Sequence, residues 1–174
     1  GAMATSPDEM MQRGFAARAR GDAAAASACF AAAHVAAPGN SQIANIHANA
    51  LAALGRFDEA LARTNDAIKG DPSSAPAHFA KGRVLAAQNR WDEAKEAFKE
   101  VLRLNPRAAG AQVELAKLHL QTGATETAVV LAGAAVTRFE YDIPLAQFFT
   151  SALETVDEGD FLSGVGKSVV FGLI

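Results

Sequence analysis

The chain has 174 residues, half of them apolar, few aromatic side chains and a net charge of −3. That length allows a substantial core, and the weak negative charge without any lysine or arginine run excludes nucleic-acid binding by bulk electrostatics. No stretch approaches the roughly 20 apolar residues that span a bilayer, and the single Cys29 excludes an intrachain disulfide.

Alanine richness and a scarcity of β-branched residues before the last few positions predict an all-α chain of closely packed helices. In chain order, helices are expected at 8–20, 23–36, 41–53, 57–69, 75–88, 91–104, 109–121 and 125–138. They keep one register. Pro38, Pro72 and Pro106 recur every 34 residues, as do Ala26, Ala60, Ala94 and Ala128. Gly21, Gly55, Asn89 and Gly123 follow the same step. A fixed 34-residue period is the signature of a helix-turn-helix solenoid, in which stacking covers apolar faces that no single pair can bury.

Each recurring residue has a physical task. The prolines stop the second helix of a pair, because proline cannot continue the hydrogen-bond ladder. Gly or Asn at the 21/55/89/123 positions tolerates the left-handed backbone that ends the first helix. Asp22, Asp58 and Asp92 are expected to cap the start of the second helix.

The period weakens after Glu140. Pro144 suits a first helical turn, and residues 143–158 read as a capping helix or a degenerate further first helix. The tail 159–174 is very apolar, with Phe161, Leu162, Val165, Val169 and Phe171 on one side of a potential helix. Three readings stay open for it: a degenerate second helix, a segment that seats in a neighbouring copy and drives self-association, or the edge of a longer chain.

The segments Leu54-Gly55-Arg56-Phe57-Asp58-Glu59-Ala60-Leu61 and Asn89-Arg90-Trp91-Asp92-Glu93-Ala94 resemble tetratricopeptide repeats. The family's small residue at position 8 falls on Gly14, Ala48, Gly82 and Ala116. Its aromatic at position 24 falls on Phe30 and Phe98 but on Thr64 and Ala132 in the other copies. The resemblance implies four repeats at 7–40, 41–74, 75–108 and 109–142. Residues 1–6 then form a tag-cleavage scar (Gly1-Ala2-Met3) and flexible N-terminus, a start that a removed signal peptide would share. It implies a right-handed α-α superhelix with a concave inner side. A cytoplasmic location is expected, with the periplasm left open.

No catalytic constellation emerges. Gly164-Val165-Gly166-Lys167-Ser168 lacks the earlier glycine of a phosphate loop, since Phe161 stands there, and no strand precedes it. His34, His47, His78 and His119 have neither the i, i+4 pairing nor the Cys/His spacing of a metal site, and His47, His78 and His119 read as packing residues. Cys29, beside Phe30, reads as a small apolar filler. Neither an enzyme, nor a cofactor, nor a metal is therefore expected.

The resemblance places partner-facing positions on the first helix of each repeat. Here they hold Met11, Phe15 and Arg18, then Asn45 and Asn49, then Phe79 and Arg83, then Val113, Lys117 and Gln121. Asparagine can bond the backbone of an extended peptide, and the three cations suit acidic side chains or a terminal carboxylate. The family's clamp for acidic chaperone tails is not matched: from the first repeat its opening positions hold Met11 and Phe15, and from the second Asn45 and Asn49 match only half the first pair while Ala80, Gly110 and Glu114 hold later positions. Nor is there an asparagine ladder, since position 6 reads Gln12, Ile46, Ala80 and Glu114. The expected function is a non-catalytic scaffold or adaptor binding a protein or peptide. The alternatives are the repeat portion of a larger enzyme (glycosyltransferase, sulfotransferase or hydroxylase) and a structural protein forming homo-oligomers through its tail.

Overall fold

A computed structural model describes residues 5–123 of the chain. The expected helix at 125–138, the capping segment at 143–158, and the tail with Phe161, Leu162, Val165, Val169 and Phe171 lie outside the described residues. Seven helices are described: α1 (Pro7–Ala19), α2 (Ala23–Ala36), α3 (Ser41–Ala53), α4 (Phe57–Gly70), α5 (Ala75–Ala87), α6 (Trp91–Leu104) and α7 (Ala109–Gln121). Odd-numbered helices are the first, or A, helices of successive pairs, and even-numbered ones are the B helices. The chain divides into two compact units, residues 1–97 and 98–174, with the boundary inside α6.

Tight turns join each A helix to its B helix. Gly21, Gly55 and Asn89 have φ of 80°, 74° and 59°, and Gly123 has 82°. In each of the first three turns two amides fold back onto the helix that is ending. Gly21 N–H bonds Arg18 O while Asp22 N–H bonds Ala17 O, both at 3.0 Å. The same pairs recur as Gly55 with Ala52 and Arg56 with Leu51, then as Asn89 with Ala86 and Arg90 with Leu85. This is the Schellman arrangement, which satisfies carbonyls that the helix end would otherwise leave bare.

Helix starts are less uniform than the aspartate series suggests. Asp22 is a true N-cap, accepting from Ala25 N–H at 3.0 Å. Asp58 and Asp92 instead sit inside the first turns of α4 and α6. There they still oppose the helix dipole but do not cap. The position ahead of α4 is filled by Arg56, without a side-chain cap bond. The reason is register, since Asp22 stands immediately before its helix whereas Asp58 follows Phe57, the first residue of α4.

In the first unit α1 packs on α2, α2 on α3, α3 on α4, α4 on α5, and α3 also on α5. Small residues set the spacing. A Cβ at Gly14 would overlap the ring of Phe30, which is itself fully buried. Ala48, Ala60 and Ala94 are likewise completely buried. Phe30 joins Met11, Ala17, Ala26, Ala33 and Ile43 in one core cluster. A second cluster gathers Leu51, Ala60 and Val84. Where the aromatic of the second repeat is missing, Thr64 is fully buried and donates its hydroxyl to Leu61 O at 2.7 Å, so no polar atom is stranded. Gly70 ends α4 where a side chain would press on Gly39 O at 2.9 Å.

In the second unit, Phe98 and Val101 on the last part of α6 are buried, as are Ala111, Leu115, Ala116 and Leu118 on α7.

Candidate functional site

Once the A and B helices have buried their small and aromatic residues, the rest of each A helix carries what a partner would meet. On α1 that is Phe15 and Arg18. Phe15 stays 38% exposed and packs edge-on against Phe30, ring centroids 5.3 Å apart. The exposed Arg18 guanidinium lies 5.0 Å over the Phe15 ring and 6.0 Å from that of Phe30. The aromatic pair thus holds the arginine in place without neutralising it, a cation–π contact worth about 0.5–1 kcal/mol at an exposed site.

On α3, Asn49 is exposed and Asn45, one turn earlier, is half-buried. Asn45 Oδ1 is enclosed without a hydrogen-bond partner. Asn45 also lines a shallow cleft of about 380 Å³ with Asn40, Ser41, Gln42, Asp71, Ser74 and Pro76. Sequence reading did not find this cleft. It forms where the starts of α3 and α5 come side by side, and its one visible signal was the pair of caps Asn40 and Ser74, 34 residues apart. Each cap accepts an amide, Asn40 from Ile43 and Ser74 from Ala77. On α5, Phe79 is half-buried and Arg83 exposed.

Ion pairing differs among the arginines. Arg56, Arg63 and Arg90, on or just before the B helices, each meet an acid three residues on, at 2.6, 3.0 and 2.7 Å. Hydrogen bonding to Arg56 and Arg90 holds the Glu59 and Glu93 carboxyls below the ordinary value. Arg18 and Arg83 make no ion pair among the described residues.

Two expected contact residues are placed differently. Met11 is only 8% exposed and belongs to the core, because its side chain turns towards Phe30 and Ile43 rather than outward. Lys117 on α7 is exposed but its charge is met by Glu114 at 3.2 Å. Val113 is half-buried and Gln121 exposed on the same helix. Cys29 is half-buried and free. Among the described residues no three His, Cys, Asp or Glu side chains cluster as a metal site, and no helix is long and apolar enough to cross a membrane.

Residues 79–143 match the family model described as tetratricopeptide repeat. These residues are tetratricopeptide repeats. The crystal structure described as that of MamA protein superposes with a TM-score of 0.76 at 19% identity, covering 95% of this chain and 86% of that one. The structure described as the first TPR of Spaghetti (RPAP3), bound to the HSP90 peptide SRMEEVD, gives a TM-score of 0.64 at 24% identity, covering 68% of this chain and 96% of that one. A curated relative from Arabidopsis thaliana is described as the probable UDP-N-acetylglucosamine–peptide N-acetylglucosaminyltransferase SPINDLY. It is 35% identical over 77 residues, which make up 44% of this chain. The tetratricopeptide chain spans only 8% of that relative's length. Tetratricopeptide repeats serve in general for protein–protein interaction, and the paired α1–α7 helices are this family's fold.

Proposed function

We propose that this chain is a non-catalytic interaction module that takes an extended peptide or partner segment along the A-helix face of its first unit. The observation that carries the reading is the mixed strip of Phe15 with its stacked Arg18, Asn49, and Arg83. It combines an exposed aromatic, an amide and two arginines that have no carboxylate partner among the described residues. Asparagine can bond a peptide backbone independently of its sequence. The arginines favour acidic side chains or a terminal carboxylate, for which a planar guanidinium is the fitting donor.

The neighbour that holds an HSP90 peptide supports peptide binding as a mode open to this fold. The residues of this chain argue for different contacts, since Phe15, Ala80 and Glu114 stand where acidic-tail clamps carry polar or basic groups. The relative described as a glycosyltransferase is matched over only 8% of its length, so its activity is no argument for catalysis here, and Gln12, Ile46, Ala80 and Glu114 do not form an asparagine ladder. An adaptor or scaffold therefore fits better than an enzyme subsite.

Selection from a displayed peptide library supplies a binder whose affinity can then be measured for the wild-type protein and for Asn49→Ala/Arg83→Ala. The expected result is at least tenfold weaker binding with unchanged helicity and melting temperature. Equal affinity, or a loss of folding that parallels the loss of binding, would remove these residues from the site.

A further inference from the structure

The most unusual polar contact in the first unit connects its first two helix pairs. His34 on α2 and His47 on α3 are both only 7% exposed, and their Nδ1 atoms lie 3.2 Å apart. The rings meet edge to face, 5.5 Å between centroids. His34 Nε2 faces Asp66 Oδ2 of α4 across 3.7 Å, and Asp66 is also paired with Arg63 at 3.0 Å. Two nitrogens at that separation share one hydrogen. The carboxylate favours the N–H on His34 Nε2, so His34 Nδ1 accepts and His47 Nδ1 donates, by the logic of the network.

We propose that His34 and His47 form an acid-sensitive joint between the first and second repeats, holding α2 on α3 while both rings are neutral and releasing that contact when they are protonated. A proton on His34 alone leaves an N–H···N bond once His47 carries its hydrogen on Nε2, whereas a proton on each ring sets two N–H groups against each other and breaks the bond. A proton on His47 would place a charge in the buried junction. Among the described residues, the charged groups facing the pair belong to α4 or the residue before it. Asp66 and Glu59 favour a cation, whereas Arg63 and Arg56 oppose one. Burial decides the balance. It lowers His34 from the ordinary histidine value, against the pull of Asp66. It brings His47 down to about 4, helped by His34 and the two arginines.

The sign follows from linkage. Because folding favours the neutral rings, the stabilisation is complete above about pH 6.5, the value in the unfolded chain, and is lost as pH falls towards 4. The joint does not rest on the binding proposal. One consequence does: α2 connects the α1 strip of Phe15 and Arg18 to the α3 strip of Asn49, so acid would misalign them and release a bound segment.

Hydrogen exchange of α2 and α3 amides, corrected for intrinsic rates, tests the joint in the whole chain and in His34→Gln/His47→Gln. Between pH 7 and 4.5 the wild-type opening equilibrium should rise roughly 50-fold more than that of the variant. The same pH slope in both would overturn the proposal. In the unmodified protein, nitrogen NMR of the imidazoles should show the His47 ring neutral at pH 6 and protonating only as α2–α3 protection is lost. Protonation near pH 6.5 with protection intact would overturn it even if the double variant did not fold. Neither readout needs a partner, so failure of the joint and failure of the binding proposal are told apart.

Discussion

Gly14 lies directly against the ring of Phe30, and their fit sets how near α1 comes to α2. Filling the glycine would force the ring of Phe30 from its place. Gly14→Ala should therefore destabilise the protein by about 1–3 kcal/mol, the usual cost of overpacking, despite alanine's better helix propensity. Urea denaturation measures this, and an unchanged or raised midpoint would mean that α1 can shift without penalty. The glycine was legible in the sequence as a small residue at a repeating position. Met11 was not legible as a core residue, because the repeat register names its position but not which way an unbranched side chain turns. The His34–His47 pair was missed for another reason. The residues are 13 apart on helices of different repeats, so no local spacing reveals them. A signal did exist: stepping by 34 from His34 reaches Ile68 and Leu102, both half-buried, which marks that position as one that packs.

At the level of helices, the turn residues carry most of the pattern, and the helix limits read from it agree with the structure to within a residue at each end from α1 to α7. Positive φ at Gly21, Gly55, Asn89 and Gly123 is a backbone requirement, so composition alone reveals it. Capping depends on a one- or two-residue offset, so the aspartates were harder to assign. That offset has an energetic consequence. Asp22→Ala removes a cap bond and should cost about 1 kcal/mol. Asp58→Ala removes only a first-turn charge and an exposed bond from Gln88, and should cost about half as much or less. Thermal melts of the two variants test the ordering, and equal losses would show that the two aspartates serve α2 and α4 alike.

For the molecule as a whole, the repeat chemistry fixes the fold, while the face open to a partner follows from which side chains are left over after packing. Exposed Phe15, Arg18, Asn49 and Arg83 come from three A helices of one unit, and the A-helix residues of α7 form a separate set in the other. Partner identity is written in none of these positions individually, because aromatic, amide and guanidinium groups accept many sequences. The measurement that tests the central claim most directly is an amide and side-chain shift map of the protein with a selected peptide bound. Perturbations centred on Phe15, Arg18, Asn49 and Arg83 are the predicted result. A footprint concentrated on the outer faces of α2 and α4, with those four residues unmoved, would contradict it.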